Sequence, residues 1–309
     1  MKNQKSAILL ALLAVLLWST VATAFKLALQ VFTPFQLIFV ASVVSLVFFL
    51  IVMLLSGKWA EFRSASSRQV LKSAVQGFMN PFFYYLILFK AYSLNPAQVT
   101  QALNMVWPVT LALLSVPLLG QKLSWKNLVA ICCSFVGVVF ISSQGGWDGF
   151  ARTNTLGALL ALGSSIIWSL YWIFNARDKR DRLVVLSWNF IFGLIFLLGY
   201  SFFERDAFNF PLSGTAFWSA VYVGLFELGV TFVIWIYALH KSENNAVTGN
   251  FVFLFPFISL VFIHFILHET IYATTFIGLS FILLGILIQQ VRLRFPKLLR
   301  ANRLRQSKQ

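Results

Sequence analysis

The sequence predicts an all-α membrane protein of ten transmembrane helices, arranged as two inverted-topology five-helix repeats with both termini cytoplasmic. Three observations carry that expectation. The 309 residues are 59% hydrophobic and only 11% charged, more apolar than a soluble core of this size requires. Apolar runs of helix-crossing length recur along the whole chain, and the chain matches itself at an offset of about 148 residues.

The runs, in order, are Ser6 to Leu29, Pro34 to Leu55, Val70 to Ser93, Pro96 to Leu119 and Ser124 to Ser142 in the first half. Thr155 to Ala176, Leu183 to Phe203, Thr215 to Leu239, Asn245 to Leu267 and Ile271 to Gln290 follow in the second. Each is long enough to cross a hydrocarbon core of about 30 Å. A net charge of +15 in a soluble protein would point to nucleic acid, but its distribution here argues for a bilayer and against nucleic acid. With both termini placed in the cytoplasm, 20 of the 24 Lys and Arg fall on the cytoplasmic side, and only Lys26, Lys90, Arg152 and Arg205 lie elsewhere. The tail from Arg292 onward carries seven of these charges and reads as an anchor at anionic headgroups. The first run is expected to be an uncleaved span, because it is long for a signal core and has a counterpart in the second half. The limits expected are 1–143 for the first repeat, 144–154 for a linker, 155–291 for the second repeat and 292–309 for the basic cytoplasmic tail.

The self-match aligns Pro108 with Pro256, Gln121 with Glu269 and Gly137 with Gly285, and near an offset of 150 it aligns Trp18-Ser19 with Trp168-Ser169. Five spans is an odd number, so the second copy enters the membrane from the opposite side. Inverted repeats give many secondary transporters two near-equivalent conformations around a midplane site. Trp18-Ser19 at the end of an apolar run, and Pro108 followed by Leu118-Leu119-Gly120-Gln121, resemble the drug/metabolite transporter superfamily, specifically its EamA-type members. Asn104-Met105-Val106-Trp107-Pro108 and Gly120-Gln121-Lys122 are also similar to bacterial aromatic amino acid exporters. The resemblance implies a basket in which spans one to four and six to nine enclose a cavity, with spans five and ten outside it. Members usually carry Gly-Glu at the ends of the fourth and ninth spans; here Gln121 replaces the first Glu and His268 the second Gly.

The chemistry-bearing residue is Glu227, one acid near the centre of an apolar run. A charge there is costly and normally faces a bundle interior or a wet cavity. Helical stepping groups it with Ser219, Gly224, Thr231 and Trp235. The 148-residue offset sets it opposite Met79 or, with a slip of one, Asn80, so the acid belongs to one half only. Asn80-Pro81 interrupts the third run, with Tyr84 one turn on; Gln101, Asn104 and Pro108 share a face of the fourth, and Gly249, Phe253 and Pro256 one of the ninth. The expected helix kinks are therefore at Pro81, Pro108 and Pro256. The expected substrate-binding set is Asn80, Tyr84, Gln101, Asn104, Trp168, Glu227 and Trp235, with Glu227 also the coupling residue.

No His and Cys cluster, phosphate loop or nucleophile elbow appears, and Cys132 and Cys133 sit together in an apolar span. No metal, cofactor or enzymatic activity is expected. The expected partners are a small-molecule substrate and the lipid bilayer, and the glycine stripe of Gly137, Gly278 and Gly285 makes a homodimer a further candidate. The expected function is secondary active export of small organic metabolites such as amino acids, by alternating access, with proton coupling through Glu227, in the bacterial inner membrane. Two alternatives stay open: a facilitated-diffusion carrier in which Glu227 is structural or substrate-binding, and a lipid scramblase or membrane-embedded enzyme using the same cavity.

Overall fold

The computed structural model describes residues 2–120, 125–243 and 245–290. The motif residues Gln121 and Lys122 and the basic tail 292–309 lie outside the described residues. Among the described residues the chain is helical, without strands. The first half holds α1 (Gln4–Ala28), α2 (Pro34–Leu55), α3 (Ser67–Gly77), α4 (Tyr84–Leu94), α5 (Ala97–Asn104), α6 (Trp107–Leu119) and α7 (Trp125–Ser142). The second holds α8 (Thr155–Ala176), α9 (Arg182–Tyr200), α10 (Gly214–Tyr222), α11 (Val230–Lys241), α12 (Asn245–Asn250), α13 (Phe255–Leu267) and α14 (Ala273–Gln290). Seven helical stretches are long and apolar enough to cross a membrane, and shorter apolar helices run Leu128–Ser142 and Ala273–Ile288.

Local chemistry starts these helices where polar residues interrupt the apolar runs. Thr33 accepts from the Gln36 backbone while the Gln36 side chain returns to the Thr33 amide, a capping box with Pro34 at the first helical position. Asn3, Asn154 and Asp181 cap α1, α8 and α9 with their side-chain oxygens. The third span is interrupted at Asn80-Pro81, where a kink was expected. Phe78–Phe83 forms a π-helical turn between α3 and α4, and Asn80 inside it is extended at φ −149°, ψ 118°. The cause is local: the ring of Pro81 crowds the preceding residue out of the helical region. A second π-turn, Val223–Glu227, divides α10 from α11, followed by Gly229 at φ −113°, ψ −96°.

The two halves interlock. Helix α1 packs on α10, α11 and α13 of the second half, and α8, its counterpart in the self-match, packs on α4, α5 and α6 of the first. Helix α2 packs on α9, which in turn covers α3 and the first π-turn. Each half's apolar faces are thus buried against the other half, which the two-repeat architecture requires. Two breaks recur at matching places. Trp107-Pro108 and Phe255-Pro256 each begin a new helix after an irregular turn, and Gly120 (φ 66°) and His268 (φ 56°), 148 residues apart, end those helices in the left-handed conformation.

Helices α7 and α14 pack chiefly on each other, beside the bundle. A Cβ added at Gly137 would lie 2.6 Å from the Gly278 carbonyl, and one at Gly285 would lie 2.9 Å from that of Ala130. The glycine stripe is therefore taken up by a contact within the chain. It no longer argues for a homodimer.

Candidate functional site

The interlocked halves enclose a cavity of about 580 Å³. It runs from Phe25 and Tyr92 at one end to Leu119, Arg177 and Leu239 at the other. Both interruptions that matter chemically open onto it. The second π-turn exposes its last residue, half-buried Glu227, to the cavity, and around the break between α5 and α6 lie Gln101 and Asn104 of α5, Met105 of the turn and Trp107 of α6.

Glu227 is held by a residue of the other half. The Tyr85 hydroxyl donates to its Oε1 at 2.8 Å, and Tyr85 is itself fully buried. This is a charge-assisted bond, stronger than a neutral one when the carboxylate is ionised. Tyr84 packs edge-on against Tyr85, with ring centroids 4.7 Å apart, and its hydroxyl approaches the Asn104 side-chain oxygen at 3.4 Å. Asn104 donates to Ser164 Oγ at 2.9 Å, and Gln101 accepts from Ser259 Oγ at 2.8 Å. The Tyr85–Glu227, Asn104–Ser164 and Gln101–Ser259 bonds cross between halves.

Aromatic rings line the cavity in an arc. Tyr84 stacks on Trp168 with centroids 4.7 Å apart, Trp168 meets Phe232 at 6.4 Å, Phe232 meets Trp18 at 5.6 Å, and Trp18 meets Trp235 at 5.5 Å. The far end is closed. Lys26 Nζ donates to the Tyr92 and Asn95 carbonyls at 2.9 and 3.1 Å, satisfying groups at the end of α4. The Glu269 carboxylate accepts from the Ala97 and Gln98 amides at 2.8 and 3.3 Å, capping the start of α5, and Gln98 bonds the Thr270 carbonyl.

The model of the EamA-like transporter family matches this chain twice, over residues 5–143 and 155–289. The chain belongs to the EamA-like transporter family. Like other members it is a multi-pass membrane transporter, with the lipid bilayer and a small-molecule substrate as its partners. It is similar to a Bacillus subtilis protein named uncharacterized transporter YetK, 23% identical over 76% of this chain and 72% of that one. An uncharacterized transporter of Archaeoglobus fulgidus is 24% identical over 86% of this chain and 91% of its own length. The aromatic amino acid exporter YddG of Ancylobacter novellus is 26% identical over 78% and 82%. One solved crystal structure shares the fold at a TM-score of 0.64 and 20% identity, over 93% of this chain and 97% of that one.

In this EamA-like transporter six of the seven expected lining residues come together: Tyr84, Gln101, Asn104, Trp168, Glu227 and Trp235. Asn80 does not join them. It is 4% exposed, lies beside Tyr171 and is not among the residues that line the cavity. Pro81 likewise packs on α9, where a Cβ at Gly193 would lie 2.5 Å from its ring. The face expected around Glu227 is also revised. Ser219 lines a separate lateral groove with Thr20 and Tyr222, Gly224 packs on the α2 backbone at Ala41, and the Thr231 hydroxyl bonds the Phe226 carbonyl. A π-turn inserts an extra residue per turn, so regular helical stepping across it points to the wrong side.

Sequence reasoning missed Trp18, Phe232 and Arg177, which line the cavity, and Tyr85, which bonds Glu227. For Tyr85 the first π-turn is again the reason, since it decides which of two adjacent tyrosines reaches across. Trp18 had a signal, its match to Trp168 in the repeat, and both residues lie on the cavity.

Proposed function

We propose that this transporter is a secondary active carrier that exports small organic metabolites such as amino acids by alternating access. In this reading ten spans form two inverted repeats, 1–143 and 155–291, with both termini cytoplasmic, in the bacterial inner membrane. The observation that carries the reading is Glu227, a carboxylate of the second half that lines the cavity and is bonded to Tyr85 of the first. Enclosing a charged carboxylate costs more than enclosing a neutral one, so proton binding at Glu227 changes which conformation is cheap to close.

The closed end supports the same reading. Lys26, Glu269 and Gln98 fasten α1, α4, α5 and the segment after α13 together on one side, while the cavity runs to the opposite side at Leu119 and Arg177. Rocking one half against the other would break the first set of contacts and close the second end. Substrate in the cavity meets Tyr84, Gln101, Asn104, Trp168, Trp235 and Glu227. The chain needs no metal, cofactor or enzymatic step for this work.

The test is flux from proteoliposomes under an imposed pH gradient, comparing the native protein with Glu227→Gln. Gradient-driven accumulation is expected to disappear in the variant while exchange down a concentration gradient persists. Full gradient-driven flux in the variant would remove the coupling role and leave facilitated diffusion. The scramblase alternative keeps one observation in its favour, the lateral groove of Thr20, Thr23, Ser219 and Tyr222 between α1 and α10. A fluorescent-lipid translocation assay in the same liposomes decides between the two, and the carrier reading expects no acceleration.

A further inference from the structure

We infer that the cavity selects an aromatic amine that is a net cation and carries a neutral oxygen; this rests on the carrier reading of the cavity and, among small organic metabolites, puts this class in place of free zwitterionic amino acids. Among the described residues that line it, Glu227 is the one carboxylate and Arg177 the one cation. Arg177 stands at the mouth, exposed, and its guanidinium donates to the Leu118 carbonyl at 2.8 Å. Lys26, at the closed end, is engaged by the Tyr92 and Asn95 carbonyls. A substrate carboxylate drawn down beside Glu227 would therefore be buried without a positive partner and next to a like charge, the costly arrangement for an ion leaving water.

The remaining lining fits a cation. The arc from Tyr84 through Trp168, Phe232 and Trp18 to Trp235 surrounds the approach to Glu227 with aromatic rings, and such rings attract an ammonium through their electron-rich faces. The same rings stack on a flat apolar body. Gln101 supplies the complementary polar contact. Its Oε1 accepts from Ser259, while its side-chain amide nitrogen is buried with no hydrogen-bond partner. A buried donor left unpaired is costly, and a neutral acceptor oxygen on the substrate would satisfy it.

The experiment is calorimetric titration of the full-length protein in detergent at pH 8 with three compounds that share a phenylpropyl frame: phenylalaninol, phenylalanine and 3-phenylpropan-1-ol. Phenylalaninol, the cation with a neutral oxygen, is expected to bind at least ten-fold more tightly than either of the others. Glu227→Gln is expected to erase its advantage over 3-phenylpropan-1-ol, and Glu227→Asp to retain part of it. Phenylalanine binding as tightly as phenylalaninol, equal binding of the uncharged alcohol, or no binding of phenylalaninol to the native protein each overturns the inference. Flux of the three compounds in liposomes is read separately. Transport of phenylalanine in preference to phenylalaninol overturns the cation class and leaves the carrier standing, whereas cation-selective binding without any flux overturns the carrier and leaves the binding class.

Discussion

Tyr85 and Glu227 are 142 residues apart in the chain and 2.8 Å apart in the fold, the hydroxyl of one half donating to the carboxylate of the other. A bond to an ionised group contributes about 1.5–3 kcal/mol, and one between neutral groups about 1 kcal/mol.

Tyr85→Phe is therefore expected to lower the thermal midpoint of the detergent-solubilised protein clearly more than Tyr84→Phe, whose hydroxyl makes only the 3.4 Å approach to Asn104. Parallel thermal unfolding of the two variants measures the difference. Equal shifts would mean that the Tyr85 bond carries no special weight.

The α7 and α14 pair offers a stability test away from the cavity. A Cβ at Gly278 would fall 2.5 Å from the Gly137 carbonyl and 2.6 Å from Ile141, so Gly278→Val forces the helices apart. Overpacking of this kind costs about 1–3 kcal/mol. The variant should unfold at lower temperature yet bind substrate with native affinity, and loss of affinity alongside stability would show that the pair shapes the cavity.

Two residues 148 apart should respond in opposite directions to exchange. His268 holds φ 56° where its counterpart Gly120 holds φ 66°. Left-handed backbone costs a residue with a side chain about 1–2 kcal/mol, so His268→Gly is expected to stabilise the fold modestly and Gly120→Ala to destabilise it by about 1 kcal/mol. Unfolding midpoints of both variants read the signs.

The loop between α8 and α9 supplies a pH dependence outside the spans. Arg180 bonds the Asp178 carboxylate, with Nη2 to Oδ2 at 2.7 Å, and these hydrogen bonds hold the Asp178 carboxyl below the usual carboxylate range. Because the folded value is the lower one, the pair's contribution is present above the unfolded value near pH 4 and is lost as pH falls through the folded value. Thermal midpoints followed from pH 7 down to pH 3 should fall more steeply for the native protein than for Asp178→Asn. Superimposable acid profiles would count against the assignment.

The sites of interruption separate what the sequence made legible from what it hid. Wherever the chain kept regular periodicity, the reading transferred: Gln101, Asn104, Trp168 and Trp235 lie on helices, and all four reach the cavity. Asn80 and the face drawn around Glu227 did not transfer, because both depend on a π-turn that rotates the residues on either side of it. Proline and glycine mark such breaks in a sequence, but the angle through which a break turns the next helix is set by the neighbours that pack against it.

Composition, run length and self-similarity determined by themselves that this chain is a membrane-embedded helical protein of two related halves, since a hydrocarbon environment forces backbone groups to bond within each helix. The sequence also isolated Glu227 as the group that needs a special environment. Only the tertiary structure decided what surrounds it. The Tyr85 hydroxyl, the Trp18 to Trp168 arc and the Lys26 and Glu269 fastenings join residues 64 to 214 positions apart on separate helices, and such contacts follow from how interrupted helices of two halves interlock. Periodicity along a single helix carries no record of that interlocking.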